Sequence, residues 1–347
     1  MRLSSASGGL IMRSLFGLMA LAPVAAALAG PPLAEPPFLP QAPAEYREAR
    51  LSGGPPKDGI PSIDEPRFES AAAAGDRLAD GDRIIGIHID GEARAYPQAI
   101  LVWHEIVNDT VGDTPVSVTY CPLTGTALGF RRGETTFGVS GRLVNSNLVM
   151  YDRASDTQWP QMLAAGIDGP HAGDGLQELR VVWTTWARWR ERYPHTRVLT
   201  EDTGSLRRYG SDPYGQYNPR GGYYAEDAPP VFPVMHESDR YPPKHEVLGF
   251  RDADHAYAVD RAALRETGVL RHEANGRHYL IVHDPGLDTG WVFRGEAPVA
   301  PGDIEFGPDG PRIPGRDSLT AVNAFEAMWF AWAGFYPETA VIGGGDR

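Results

Sequence analysis

Apolar and polar residues alternate in short runs along most of the chain, which is the period expected of half-buried strands. Runs 84–89 and 93–96 flank Asp90-Gly91, a dipeptide suited to a tight hairpin turn. Run 116–120 alternates with β-branched residues and predicts a strand ending at Cys121-Pro122. Runs 128–132 and 135–139, separated by Gly133-Glu134, predict another hairpin, and 148–151 one more strand. The period changes at 183–193, where Trp186, Trp189 and Tyr193 recur at helical spacing and Pro194 ends the pattern.

The pattern then repeats. Gly86, Ala93, Ala95 and Leu101 fall on Gly249, Ala256, Ala258 and Leu264 at a constant shift of 163 (249 − 86). Trp186, Trp189, Tyr193 and Pro194 fall on Trp329, Trp332, Tyr336 and Pro337 at a shift of 143 (329 − 186), so the second copy lacks 20 residues (163 − 143). The second copy predicts strands at 247–250, 279–282 and 291–293 and a helix at 319–335. The expected fold class is α+β: a tandem duplication of a small antiparallel-sheet-plus-helix unit, packed about a pseudo-twofold axis. The expected division is a signal peptide at 1–29, a Pro/Ala-rich linker at 30–52 and unit one at 53–206. A Tyr/Gly/Pro-rich connector at 207–245 and a shorter unit two at 246–347 complete it. Residues kept in both copies are explained by folding, whereas those in copy one alone are free to carry chemistry.

Residues 1–29 have the parts of a secretory signal: Arg2 and Arg13, an apolar run at 15–28, and Ala27-Leu28-Ala29 before Gly30. That predicts an exported protein, periplasmic or extracellular, with no membrane span after cleavage. With 32 basic and 45 acidic residues the net charge is −13, which disfavours nucleic acid and anionic membranes as partners. The chain has 1 cysteine, so no internal disulfide forms and stability rests on the core. Lys57 and Lys244 are its only lysines, each in a Pro-Pro-Lys segment.

Several blocks together carry a resemblance: GGPPKDGIP at 53–61, HEIVND at 104–109, YCPLTGTA at 120–127, NLVMYDR at 147–153 and WFAWAGFYPET at 329–339. On these the chain resembles the bacterial and archaeal family catalogued as domain of unknown function 3179. The resemblance implies export and a two-part architecture, and no established reaction.

Chemistry is therefore read from the residues themselves. Cys121 sits at a predicted strand end before Thr124-Gly125-Thr126, whose amides could form an anion-binding nest. His104 is the candidate base or metal ligand and Met150 a third soft ligand, with copper the metal that such a set favours. His236 or His283 could supply a further ligand in place of Met150, and His278 and Asp284 lie near His283. Asn145, Asn147, Asp152, Arg153 and Trp159 have no counterpart in copy two and, with Thr124 and Thr126, are candidate substrate contacts. Asp152 and Arg153 are adjacent, so in a strand they face opposite sides and one points inward.

Three readings follow. The leading one is a copper-binding or redox protein using Cys121 and His104. The second is a thiol-dependent hydrolase or transferase in which Cys121 attacks and His104 is the base. The third is a non-catalytic module in which the Tyr-rich connector and Trp159 grip a glycan or peptide. The expected partner is a small molecule or a metal.

Overall fold

The structure, a computed structural model, describes Met1 and residues 29–296, 298–316 and 318–344. The expected secretory signal falls almost wholly outside the described residues. Among the described residues no helix is long and apolar enough to cross a membrane.

The chain is 40% strand and 12% helix, which makes it predominantly β and corrects the expected α+β class built on a duplicated sheet-plus-helix unit. The helices expected at 183–193 and 319–335 shrink to Trp186–Arg192 and Trp329–Phe335. Their first parts are strands instead, because Val182–Thr185 pairs with Arg83–Ile89 and Ala324–Met328 pairs with Glu246–Arg251. Ladder hydrogen bonds to a neighbouring strand outweigh the helical spacing of the tryptophans, which begins only after them.

Two of the sheets share a strand order. One runs Val182–Thr185, Arg83–Ile89, Glu92–Pro97, Arg197–Leu199 and then a fifth strand, Phe68–Ser70, and the other has the four strands Ala324–Met328, Glu246–Arg251, Ala256–Asp260, Ala340–Ile342. In each, the fourth strand is parallel to the third, so neither sheet is purely antiparallel, and in the first sheet Phe68–Ser70 adds an antiparallel edge. Asp90 and Gly91 both have positive φ, as the two-residue turn between Arg83–Ile89 and Glu92–Pro97 requires. A Cβ on Gly86 would overlap the Trp189 ring, and one on Gly249 the Trp332 ring, so each glycine admits the indole of the following short helix. The repeated sequence blocks thus mark a shared sheet motif within a β-rich architecture.

The strand Thr114–Cys121 lies between Ile106–Val111 and Thr126–Arg131. A different sheet holds Leu51–Ser52, Phe137–Val144, Asn147–Asp152 and Gln158–Pro160. The hairpin expected between 128–132 and 135–139 does not form, since those strands belong to these two separate sheets. Asn108 explains the separation: its side chain donates to the Phe137 carbonyl at 2.8 Å and accepts from the Phe137 N–H at 3.0 Å, taking the place of a strand partner. The largest apolar core joins both parts of the chain, with Cys121, Trp159, Trp329 and Trp332 in one cluster.

Candidate functional site

Cys121 ends its strand opposite Thr126 and is 1% exposed. Its thiol faces the Ser146 carbonyl at 3.8 Å, within the longer reach of a sulfur donor. Burial, and then the charge of Glu105, push the thiol up to about 11, while contacts from Thr124 and the backbone of Leu148 act the other way. In the closed site it is therefore a neutral thiol.

The loop after Cys121 is fixed by a buried polar knot. The Thr124 and Thr126 hydroxyls are 2.8 Å apart, and Thr126 donates to Gln161 Oε1 at 2.6 Å. Asn147 Nδ2 donates to Thr124 Oγ1 and to Gln161 Oε1, both at 3.0 Å, while its Oδ1 accepts the Met162 N–H at 2.9 Å. Gln161 Nε2 completes the knot by donating to Thr119 Oγ1 at 2.8 Å. Thr124, Thr126 and Asn147 thus spend their hydrogen-bonding capacity on one another, on Gln161 and on the Met162 N–H, which positions the Cys121 loop. Gln161 and Thr119 carried no sequence signal beyond lying near the segment peculiar to the first part.

The other candidates occupy varied surroundings. Asn145 and Ser146 both have positive φ and form the two-residue turn between Phe137–Val144 and Asn147–Asp152. From that turn Asn145 donates to the Gly334 carbonyl at 3.0 Å and accepts the Met235 N–H at 2.6 Å, and Ser146 donates to the Phe232 carbonyl at 2.7 Å. Asp152 is the member of its pair that points inward, accepting from Ser155 and from Trp159 Nε1. Arg153 faces outward to Asp58, Ser62 and Asp64. Trp159 is fully buried, and Met150 is buried on a strand opposite Trp159 and Val139.

His104 is committed elsewhere. Its Nδ1 meets the Pro61 carbonyl and its Nε2 the Tyr209 hydroxyl, both at 2.7 Å, and burial lowers its proton affinity. His236 meets Gln41 and His283 meets Asp288, whereas His278 approaches Glu273. Among the described residues no group of three or more His, Cys, Asp or Glu side chains is arranged to hold a metal ion.

The groups that act electrostatically on Cys121, or feel it, are Glu105, Lys244, Tyr214 and Tyr223. Glu105 sits at positive φ and is 8% exposed, and burial raises its carboxyl to about 8. Lys244 is fully buried and its Nζ has no hydrogen-bond partner. That nitrogen lies 3.3 Å from the Tyr223 ring centroid and 4.3 Å from that of Phe330. Burial, then the charge of Arg220, lower the amine to about 7, and a Cys121 thiolate would raise it again. Its backbone is pinned by the connector, its N–H donating to Glu226 and its carbonyl accepting from Arg220. The signal available in the sequence was its rarity, as one of only two lysines.

The connector folds over this cluster. Tyr223 donates to the Leu123 carbonyl at 2.7 Å, and Tyr224 and Gln98 both donate to Asp212. Beside Cys121 is a cavity of about 120 Å³, lined by Glu105, Leu123, Leu148, Tyr214, Val231 and Phe232 among others. Cys121 is not among the residues lining that cavity, so contact between a ligand there and the thiol requires one of these side chains to move.

Residues 57–339 match the family described as a protein of unknown function, DUF3179. The chain belongs to this family. The match covers Cys121, the polar knot, the connector and Lys244, so every part of the DUF3179 cluster around the thiol lies inside it. Comparison with curated proteins and with solved structures finds no match for this DUF3179 chain.

Proposed function

We propose that the protein is a thiol-dependent hydrolase or transferase of a small acyl compound, with Cys121 as nucleophile and Lys244 as the proton acceptor. The observation that carries this reading is the Lys244 Nζ, fully buried and without a hydrogen-bond partner on the side of the core that holds Cys121. An unpaired ammonium in that position costs several kcal/mol even after relaxation, so the amine is driven to its neutral, basic form. A neutral lysine that takes the proton of a hydroxyl or thiol is a recognised activating arrangement, the analogue of a serine–lysine pair, and here Nζ, which has no hydrogen-bond partner, must close on the thiol for the transfer.

In the proposed reaction the Cys121 sulfur bonds to the acyl carbon as its proton passes to Lys244. The leaving group departs with that proton, giving a thioester. Water, or an acceptor alcohol or amine, then attacks the thioester and returns a proton to the sulfur. Glu105, protonated below about pH 8, adds no charge that would oppose the developing thiolate.

His104 is not the base in this reading, because both its ring nitrogens are hydrogen-bonded away from Cys121. Copper ligation by Cys121, His104 and Met150 has less support for the same reason. A glycan- or peptide-binding role for Trp159 has less support because the ring is fully buried. Export to the periplasm or beyond is part of the proposal, and a lone thiol kept 1% exposed is compatible with an oxidising compartment.

The test is intact-mass spectrometry of the folded protein after exposure to a panel of short-chain thioesters and activated esters. An acyl adduct on wild type, absent from Cys121→Ser, is the expected result. Acylation that persists in Cys121→Ser would overturn the proposal.

A further inference from the structure

Two cavities meet at Pro55, Gly141 and Arg142. The inner one is the cavity of about 120 Å³ beside Cys121, walled mainly by Ile60, Leu123, Val139, Leu148 and Phe232. The outer one is an open cleft of about 510 Å³ whose lining includes Ser52, Lys57, Ser140, Tyr151 and Gln158. The Pro55 carbonyl packs on Gly141, whose positive φ and missing Cβ allow the loop 53–56 to close the boundary between them.

The charges on the outer cleft are not equivalent. Lys57 is paired with Asp156 at 2.5 Å and lies over the Tyr151 ring. The Arg142 side chain is exposed, and within the described residues no hydrogen bond or ion pair occupies its guanidinium. Arg142 also lines the inner cavity, so it stands where one ligand could touch both spaces. The inner cavity offers room for about four water volumes at ~30 Å³ each, which limits an apolar group there to a handful of heavy atoms.

Resting on the thiol reading above, we infer that the substrate is an acyl compound with an anionic group. Arg142 holds the anion at the boundary, and the short apolar acyl part enters the inner cavity next to Glu105 and the Cys121 loop. The buried, unpartnered Lys244 Nζ, which the charge of a Cys121 thiolate would influence, is the independent sign that the surroundings of the thiol are built for chemistry rather than packing. A guanidinium is suited to the anion because it binds carboxylate or phosphate through paired N–H donors.

Haloacetates test this without knowledge of the natural substrate. Iodoacetate and iodoacetamide differ in one charge, and each alkylates by the same displacement: the sulfur–carbon bond forms, iodide leaves, and the thiol proton goes to base. Alkylation of Cys121 by each reagent is measured by mass spectrometry in the folded protein and in the urea-unfolded chain, which corrects for intrinsic reactivity. The iodoacetate-to-iodoacetamide rate ratio is expected to be about tenfold higher in the folded protein, the size of one charge-assisted hydrogen bond. Arg142→Ala should return the ratio to the unfolded value, and Arg142→Lys should keep most of the preference.

Equal ratios in folded and unfolded wild type, or a preference that survives Arg142→Ala, would overturn the inference while leaving Cys121 as a nucleophile. If neither reagent reaches the folded thiol, the inference and the thiol reading both fall.

Discussion

Lys244 presents its Nζ to the face of Tyr223 at 3.3 Å from the ring centroid, and the Tyr223 hydroxyl holds the Leu123 carbonyl at 2.7 Å in the loop that follows Cys121. The connector therefore ties the amine and the thiol loop to one ring. The amine gains a weak ring contact but no hydrogen bond, which is a poor exchange for the water it has lost.

From this follows the first expectation. Lys244→Met keeps the aliphatic volume and removes the unpaired nitrogen, so the variant should fold with equal stability or gain about 1 kcal/mol. Urea denaturation measures this. A loss of several kcal/mol would mean that the amine is charged and held by its two rings, contrary to the account.

Asn147 was a candidate substrate contact in the sequence, and its structural position predicts a different phenotype. Asn147→Ala removes donors to Thr124 and Gln161 and the acceptor for the Met162 N–H, leaving buried groups unpaired. The expected cost is ~1–3 kcal/mol in thermal or urea denaturation. A variant with unchanged stability would return Asn147 to the role of ligand contact.

Glu105 gives a pH signature. Its carboxyl holds a proton up to about pH 8 in the folded chain but only to its ordinary value of 4.5 when unfolded. The unfolded state binds fewer protons between those values, so the stability from this group is full below 4.5 and is lost as pH rises through 8. Wild type should therefore lose stability from pH 5 to pH 8 relative to Glu105→Gln, measured by urea midpoints in the same buffers. Parallel pH dependences in the two proteins would show that the carboxyl is not protonated in the folded state.

How much of this was visible in the sequence depended on whether the signal was local. The Asp90-Gly91 hairpin and the strand ending at Cys121 are fixed by their own residues and were legible. The α+β class was not correct, because the tryptophan spacing at 186 and 189 concealed the strand Val182–Thr185 immediately before it. The partner that sets that strand, Arg83–Ile89, lies about a hundred residues away, beyond what periodicity detects. The candidate site followed the same rule. Cys121 was a candidate from its predicted strand end, and Glu105 is set beside that strand by the pairing of Ile106–Val111 with Thr114–Cys121, whereas Lys244 and Tyr214 come from the connector, whose irregular chain carries no period to read.

The most direct test of the central claim is the rate of Cys121 alkylation by iodoacetamide in the folded protein as a function of pH, compared between wild type and Lys244→Met. The wild-type rate is expected to rise with a midpoint near 7, where Lys244 loses its proton and becomes a base. In Lys244→Met that rise should vanish, leaving only the increase towards the thiol's own value of about 11. Identical pH profiles for the two proteins, or a folded wild type that is not alkylated at any pH at which it remains folded, would contradict it.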